Sequence, residues 1–264
     1  MKWIKTLENL KDHFFEKKEK LKKRTKGQNN VEKPKVIFKD FCNTLAEKLS
    51  KSGYKFSPSQ NKYIYYNENK QYFIEIQLNS SIYNVAGEYV ELKCTYSIES
   101  KDLLKFTKVN PLINYYRGIL FSGDIGEIIN KNEGDIIWNL NSENEYNDAI
   151  HQIENVCKND LIFFLNNVEK PDYVINGIIN NNLSLTNHII TIQYLLLFNK
   201  KDIAEKYLTN LIFSSKKSIK QDYLDCKSLY ANKILPDYFV QGVGLGNDIA
   251  LLEKVYELDL KIIN

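Results

Sequence analysis

The chain has 264 residues, of which 43% are apolar and 26% are charged, and this length can bury a substantial core without disulfides or metals. Only two of its 36 basic residues are arginines, Arg24 and Arg117, which argues against a sequence-specific DNA reader because arginine supplies the bidentate contacts to guanine. No apolar run is long enough to cross a bilayer, and the N-terminus lacks the apolar stretch of a secretory signal.

The basic charge is concentrated in an N-terminal arm, residues 1–35. This arm holds 12 basic and 5 acidic residues, a net charge of +7, whereas the other 229 residues hold 24 basic and 28 acidic ones, a net charge of −4. An apolar stripe predicts an amphipathic helix over residues 1–23 and a linker over 25–35. The predicted contact residues of this helix are Trp3, Leu7, Leu10 and Phe14. Three roles remain open: docking on the rest of the protein, self-association or partner binding, and lying on a membrane surface.

The body of the chain begins with a predicted helix and continues as strands. Apolar residues at helical spacing indicate a helix over residues 36–51, and Gly53 can end it in the left-handed conformation. Apolar and polar residues then alternate, which is typical of antiparallel strands with one buried face. The predicted strands cover residues 62–66, 71–78, 88–98, 115–122 and 136–140, with a short helix or loop around 102–107.

Only helices are predicted beyond these strands. Ser142 and Glu145 match a capping box that opens a long helix over about residues 143–168. Further helices are predicted over residues 171–179, 185–198, 202–213, 219–231 and 247–260, with Ser184 as the N-cap of the second. The predicted fold is α+β: an antiparallel sheet of about five strands flanked by helices, then an all-helical C-terminal region. We divide the chain into the arm, an α+β domain over 36–170 and a helical region over 171–264 packed on it.

Four cysteines occur, and no two of them have the C-x-x-C spacing of a zinc site or a redox pair. Cys42, Cys94 and Cys157 fall on the apolar side of their predicted elements, which predicts buried free thiols. Free thiols indicate a reducing compartment, so the expected location is cytoplasmic.

No motif in the sequence indicates catalytic chemistry. Asp148, His151 and Glu154 are spaced by three but lie away from the apolar stripe, which favours a solvated face over a metal site. The glycine-rich stretch over 242–247 lacks the strand and the lysine of a phosphate-binding loop, so a turn with a helix cap at Asn247 or Asp248 is favoured. We therefore predict no catalytic, cofactor-binding or metal-binding residues and no cofactor, and we expect that the protein is not an enzyme.

One segment of the body differs clearly in charge from the rest, because it is strongly acidic. Residues 124–160 contain nine acidic residues and only two basic ones, Lys131 and Lys158. Such a segment is either a solvated surface or a docking face for a basic partner, because complementary charge steers association. The candidate partner-binding residues are Asp124, Glu127, Asp135, Glu143, Glu145 and Asp148.

Four features over about residues 38–173 carry a family resemblance. They are, in chain order, a helix ending in Ser-Gly-Tyr-Lys-Phe at 52–56, a tyrosine-rich strand at 61–66, a strand at 73–81 ending in Gln-Leu-Asn-Ser-Ser, and Arg117 with Gly-Asp-Ile-Gly at 123–126 before Trp138. With these features the chain resembles the bacterial family called domain of unknown function 4304. The resemblance implies an α+β domain and brings no established activity or catalytic residues. Small proteins of this kind look similar to bacterial immunity proteins that lie beside toxin genes.

Two main hypotheses of function follow. The first is a cytoplasmic binding protein, an immunity or inhibitor protein that uses its acidic face to neutralise a toxin partner with a basic domain. The alternative is an interaction or scaffold protein of a bacterial assembly that uses the N-terminal helix to dock or self-associate. An enzyme or a nucleic-acid-binding protein is the weakest hypothesis, because no motif supports it. Neither main hypothesis involves sequence-specific nucleic acid or a transmembrane segment.

Overall fold

The computed structural model describes residues 32–109, 118–130, 135–231 and 244–261. The predicted N-terminal helix with Trp3, Leu7, Leu10 and Phe14 lies outside these described residues, as does Arg117. The first described element is helix α1 (Pro34–Ser50), which has proline in its first turn, where the missing N–H costs no hydrogen bond. Gly53 follows this helix at φ +88°, so the predicted left-handed glycine is confirmed.

An antiparallel sheet follows α1. Its strands are β1 (Lys55–Ser57), β2 (Lys62–Tyr66), β3 (Tyr72–Asn79), β4 (Glu91–Ser100), β5 (Ile119–Asp124) and the short β6 (Trp138–Asn139). The strands β1 to β5 are neighbours in chain order, and β6 pairs with the first two residues of β4. Together with the helices described below, this sheet makes the fold α+β, as the sequence predicted.

One face of the sheet is buried and the other is polar. Ile74, Ile76 and Leu78 of β3 are at most 1% exposed, and the cross-strand partner of Ile74 is the equally buried Ile98 of β4. Glu75 and Gln77 alternate with them and lie on the other face, where they are half-buried. The period of two in the sequence therefore predicted the orientation of these strands correctly.

A continuous helical run packs on the buried side. It consists of α4 (Glu143–Asn155), a π-helical segment (Val156–Leu161) and α5 (Ile162–Val168), so the predicted helix over 143–168 is confirmed with an irregular middle. Within the π-helical segment, the carbonyl oxygen of Cys157 accepts a buried hydrogen bond from the Tyr54 hydroxyl at 3.0 Å. The helix α4 packs against α1, and α5 packs against β3.

The other described helices are two short ones after β4 and β5 and a C-terminal group. They are α2 (Lys101–Lys108), α3 (Ile125–Ile129), α6 (Pro171–Ile179), α7 (His188–Leu197), α8 (Lys201–Ser214), α9 (Lys217–Ala231) and α10 (Leu245–Val255). Thr186 joins this group to the sheet, because its N–H and its hydroxyl both donate to the carbonyl of Leu120 at 2.9 Å. Buried side chains before and after residue 170 belong to one hydrophobic core, and the predicted domain boundary there stays a prediction.

Two sequence-based predictions on the helices need correction, and one short strand was missed. Ser184 is not the N-cap of α7; the Asn187 side chain caps it by accepting from the N–H of Ile190 at 3.0 Å. The bonds from Thr186 to β5 keep the preceding residues outside the helix. The last helix ends at Val255 rather than at residue 260, and β1 was missed because three residues are too short for a periodic pattern.

The cysteines are free thiols, as predicted. Cys42, Cys94 and Cys157 are buried, and Cys226 is half-buried. Burial raises the pKa of Cys42 to about 11, and it also raises the pKa of Cys94 and Cys157, which makes all three poor nucleophiles. Among the described residues, no helix combines the length and the apolar character needed to cross a membrane.

Candidate functional site

Three of the predicted docking residues lie where β5 turns into α3. The Asp124 carboxylate caps α3 by accepting from the N–H of Gly126 at 2.7 Å, while Glu127 and Asp135 are exposed. Gly126 permits this arrangement, because a Cβ there would lie only 2.2 Å from the backbone nitrogen of Ile136. The absence of a side chain therefore lets the residue-135 segment approach α3 and brings the three carboxylates together.

The electrostatics of this group are repulsive. Burial raises the pKa of Asp124, and the carboxylates of Asp135 and Glu127 raise it further. The bond from Gly126 and the charge of Lys93 act in the opposite direction but do not cancel the rise. Burial is the largest cause of the rise, and the two neighbouring carboxylates add to it, so both a partly desolvated position and nearby like charge disfavour the ionised form of Asp124.

The other three predicted docking residues lie at the start of α4. The Ser142 hydroxyl caps this helix by accepting from the N–H of Glu145 at 3.4 Å. Glu145 does not complete the capping box, because its carboxylate accepts from the N–H of Asn139 at 2.8 Å instead. Glu143 and Asp148 are exposed on the same helix.

Asn139 connects this helix start with the beginning of β4. Its Oδ1 accepts from the N–H of Val90 at 2.9 Å, and its Nδ2 donates to the carbonyl of Glu88 at 3.1 Å. The backbone of Glu88 is thereby joined to the start of α4, and burial together with the charges of Glu91 and Glu145 raises the pKa of Tyr89, so these two carboxylates lie near the same ring. The sequence alone did not indicate Asn139, because asparagine is common in this chain, nor Glu88 and Glu91, because the contact joins segments about fifty residues apart.

These groups lie along β4, where β5 pairs Asp124 with Thr95 and β6 pairs Asn139 with Glu91, and we call their carboxylates together the acidic edge. Its carboxylates are those of Glu88, Glu91, Asp124, Glu127, Asp135, Glu143, Glu145 and Asp148. Within residues 32–109, 118–130, 135–231 and 244–261, none of them has a basic nitrogen within 4.0 Å. Two of the six predicted docking residues, Asp124 and Glu145, also hold backbone structure, so they are not purely surface positions.

The far end of the predicted acidic segment behaves differently. Glu154 pairs with Lys158 at 2.6 Å, and this bond lowers its pKa. His151 is exposed, and the described residues contain no group of three side chains arranged to hold a metal ion. The metal interpretation of Asp148, His151 and Glu154 therefore has no geometric support. Glu133 and Lys131 lie outside the described residues.

A second concentration of charged groups lies between α9 and α10. We call Asp222, Tyr223, Lys227, Asn247 and Glu253 the C-terminal polar cluster. Glu253 is 8% exposed and accepts from the Tyr223 hydroxyl at 2.7 Å, from Lys227 Nζ at 2.8 Å and from the N–H of Leu260 at 3.4 Å. Burial and the bond to Glu253 raise the pKa of Tyr223. Every bond in this cluster satisfies a group of the protein itself.

The described part of the glycine-rich stretch, residues 244–247, packs against this cluster. The Asp222 carboxylate accepts from the N–H of Asn247 at 3.0 Å, in the first turn of α10, where a phosphate would otherwise bind. The predicted cap at Asn247 or Asp248 is wrong, because both residues lie inside the helix. Gly246 serves packing, since a Cβ there would lie 2.6 Å from the backbone of Ile219 and of Tyr223.

A groove of about 630 Å³ lies between α6, α7 and α8. Its lining mixes aliphatic side chains with amide and hydroxyl groups, and it holds one lysine, Lys206, and one aspartate, Asp202. His188 also lines it, and its Nε2 lies 3.4 Å from Asp248 Oδ2. The charge of this groove is balanced, in contrast to that of the acidic edge.

No family model, no curated protein and no solved structure matches the chain significantly. The resemblance to the domain of unknown function 4304 family therefore stays a prediction from the residues that carry it. The candidate site is defined by its own geometry alone.

Proposed function

We propose that this protein is a non-catalytic binding protein whose acidic edge docks a basic protein, and that it acts as an immunity or inhibitor protein neutralising a toxin. The observation that carries the proposal is a surface of clustered carboxylates with, among the described residues, no basic nitrogen within 4.0 Å. Unpaired like charges repel one another and weaken folding, whereas a partner of opposite charge turns the same field into attraction.

The geometry of the acidic edge also favours recognition of a specific partner over an attraction that depends on net negative charge alone. Asp124 is fixed by the N–H of Gly126, and Glu145 is fixed by the N–H of Asn139. Carboxylates in fixed positions present a defined charge pattern, which a partner can match without ordering many side chains. Masking a basic surface of a toxin is the action expected of an inhibitor with such a pattern.

The test begins with the partner. The full chain, tagged at its C-terminus, is cross-linked in the cells that produce it, and the captured protein is purified for binding kinetics at two salt concentrations. The edge variant carries Glu127→Lys, Glu143→Lys and Asp148→Lys, which are exposed residues. The control variant carries Asp172→Lys, Asp202→Lys and Asp225→Lys, which are exposed residues of α6, α8 and α9, and it changes the net charge equally.

The expected result is a loss of about tenfold or more in association rate for the edge variant, with a weaker dependence on salt. Equal effects of the two variants would mean that only net charge matters, and they would contradict the proposed site. The inhibitor role is tested separately: cells that express the captured protein should survive only with wild-type chain present. If the captured protein is not toxic to the cells, the chain is still a binding protein, but the proposed immunity role is wrong.

A further inference from the structure

The loop between β3 and β4, residues 80–89, displays two large apolar side chains to solvent. We call it the anchor loop. Ile82 is 89% exposed, more than any other large apolar residue in the part of the chain that the structure describes, and the adjacent Tyr83 is 66% exposed. Most of the apolar residues in this region are buried or half-buried, so this adjacent pair stands out from the scattered exposure that is normal for a surface.

The anchor loop is held in one conformation by hydrogen bonds at its base. The Ser80 hydroxyl donates to the carbonyl of Glu91 at 2.7 Å, and Asn84 Nδ2 donates to Ser80 Oγ at 2.7 Å. The N–H of Glu91 donates to Asn84 Oδ1 at 2.8 Å. These bonds join the loop to the first residue of β4, so Ile82 and Tyr83 project from a fixed support.

A bridge within the loop adds to this order. The backbone groups of Val85 and Tyr89 exchange hydrogen bonds of 2.8 and 2.9 Å, and Gly87 makes the enclosed turn at φ +76°. Binding through an ordered loop loses little conformational entropy, which is the property that makes a short apolar projection an effective anchor.

The anchor loop adjoins the acidic edge. The carbonyl of Glu88, at the end of the loop, accepts from Asn139, and the backbone N–H of Asn139 donates to the carboxylate of Glu145. Glu91, which bonds the loop on both of its backbone groups, is itself a member of the acidic edge. Apolar projection and carboxylates therefore belong to one surface.

We propose that the anchor loop is the central contact of the docking surface, and that Ile82 and Tyr83 enter an apolar depression surrounded by basic residues on the partner. This inference rests on the proposed function and adds to it the shape of the partner. Interfaces take most of their binding energy from a few apolar or aromatic residues, and surrounding polar groups exclude water and select the partner. The acidic edge supplies such a surround.

The partner is a different protein and not a second copy of this chain using the same surface. A symmetric dimer through this surface would bring the acidic edge of one copy, with Glu88, Glu91 and Glu145, against the acidic edge of the other, because an isologous interface pairs identical patches. Like charges brought together in this way oppose association. A basic rim on the partner removes the conflict.

The experiment uses the full chain with the photoreactive residue benzoylphenylalanine at position 82, and a second protein with it at position 163. Phe163 of α5 is 68% exposed and serves as the matched apolar control. Illumination in the producing cells is followed by mass spectrometry of the cross-linked peptides. We expect position 82, and not position 163, to form a cross-link to another protein next to lysine or arginine residues.

The captured protein is then used for kinetics with Ile82→Ser, Tyr83→Ser and Phe163→Ser. The two loop variants should weaken binding by about tenfold or more, mainly through faster dissociation, and Phe163→Ser should leave it nearly unchanged. A cross-link only to a second copy of this chain, or no cross-link from position 82 in folded protein, overturns the inference.

The two proposals can fail separately. Loop variants that bind normally while the lysine variant of the acidic edge binds poorly would remove the anchor and keep the proposed site. Weak binding by the loop variants with normal binding by the lysine variant would remove the acidic docking site and keep the loop as a contact.

Discussion

The acidic edge and the C-terminal polar cluster treat their carboxylates in opposite ways. Glu253 of the cluster is 8% exposed and has a tyrosine, a lysine and a backbone N–H as partners. Glu127 and Glu143 of the edge are exposed, and no basic nitrogen among the described residues lies within 4.0 Å of either. A buried carboxylate must be satisfied within the fold, whereas an exposed one is free to act outside it. The comparison separates charge that supports folding from charge available for binding.

The largest expected effect is in the cluster. Replacing Glu253 with alanine leaves the buried Tyr223 hydroxyl without its acceptor, and we expect a loss of about 2–3 kcal/mol in the free energy of unfolding. Urea unfolding measures this loss, with Asp225→Ala on the exposed side of α9 as the control. A stability equal to that of the control would show that the cluster does not support folding, and the comparison would fail.

A smaller effect is expected at Asn139, which connects the start of α4 with the beginning of β4. Asn139→Ala removes the acceptor of the Val90 N–H and the donor to the Glu88 carbonyl, and we expect a loss of about 1–2 kcal/mol. Hydrogen exchange should also become faster at residues 88–91. The neighbouring Asn141→Ala is the control, and unchanged exchange in the Asn139 variant would contradict the role given to this residue.

The smallest effect is expected from removing charge at the edge itself. The double variant Glu127→Gln with Asp135→Asn removes the two carboxylates that raise the pKa of Asp124. Its melting temperature at pH 7 should be unchanged or up to about 2 °C higher than that of the wild type, because substitutions of exposed residues are nearly neutral. A clear decrease would mean that these carboxylates support folding.

The pH dependence of this difference follows from the direction of the shift. The folded pKa of Asp124 is raised above 3.8, so the folded state binds its proton more tightly and the contribution of this group to stability decreases as pH rises through the folded pKa. The advantage of the double variant should therefore be present at neutral pH and become smaller as the pH falls through about 4, where carboxylates begin to protonate. Thermal melts at the two pH values measure it.

The sequence predicted local structure better than it predicted the site. Strand β2 and helix α6 were predicted to the residue, because a clear period and a proline at a helix start are local signals. The sequence shows that residues 124–160 are acidic, but it does not show which of the acidic residues are paired with a lysine. Glu154 is paired with Lys158, while Glu127 has no such partner among the described residues. Asn139 and the anchor loop could not be found, because their bonds join segments about fifty residues apart in the chain or depend on exposure.

The π-helical segment changes the direction in which the apolar residues of the helical run over residues 143–168 point. A π-helical turn contains about one more residue than an α-helical turn, so passing through it rotates the following side chains by about 100° relative to an unbroken α-helix. Ile150 and Val168 are eighteen residues apart, which is five full turns, so in a uniform α-helix their side chains would point in the same direction. The π-helical segment lies between them in the chain, and both side chains are buried. Because of this rotation, α4 packs against α1 while α5 packs against β3. Deleting one residue between Val156 and Leu161 would restore the phase of a uniform helix, and it would turn either Leu165 and Val168 or the α4 stripe away from its present neighbour.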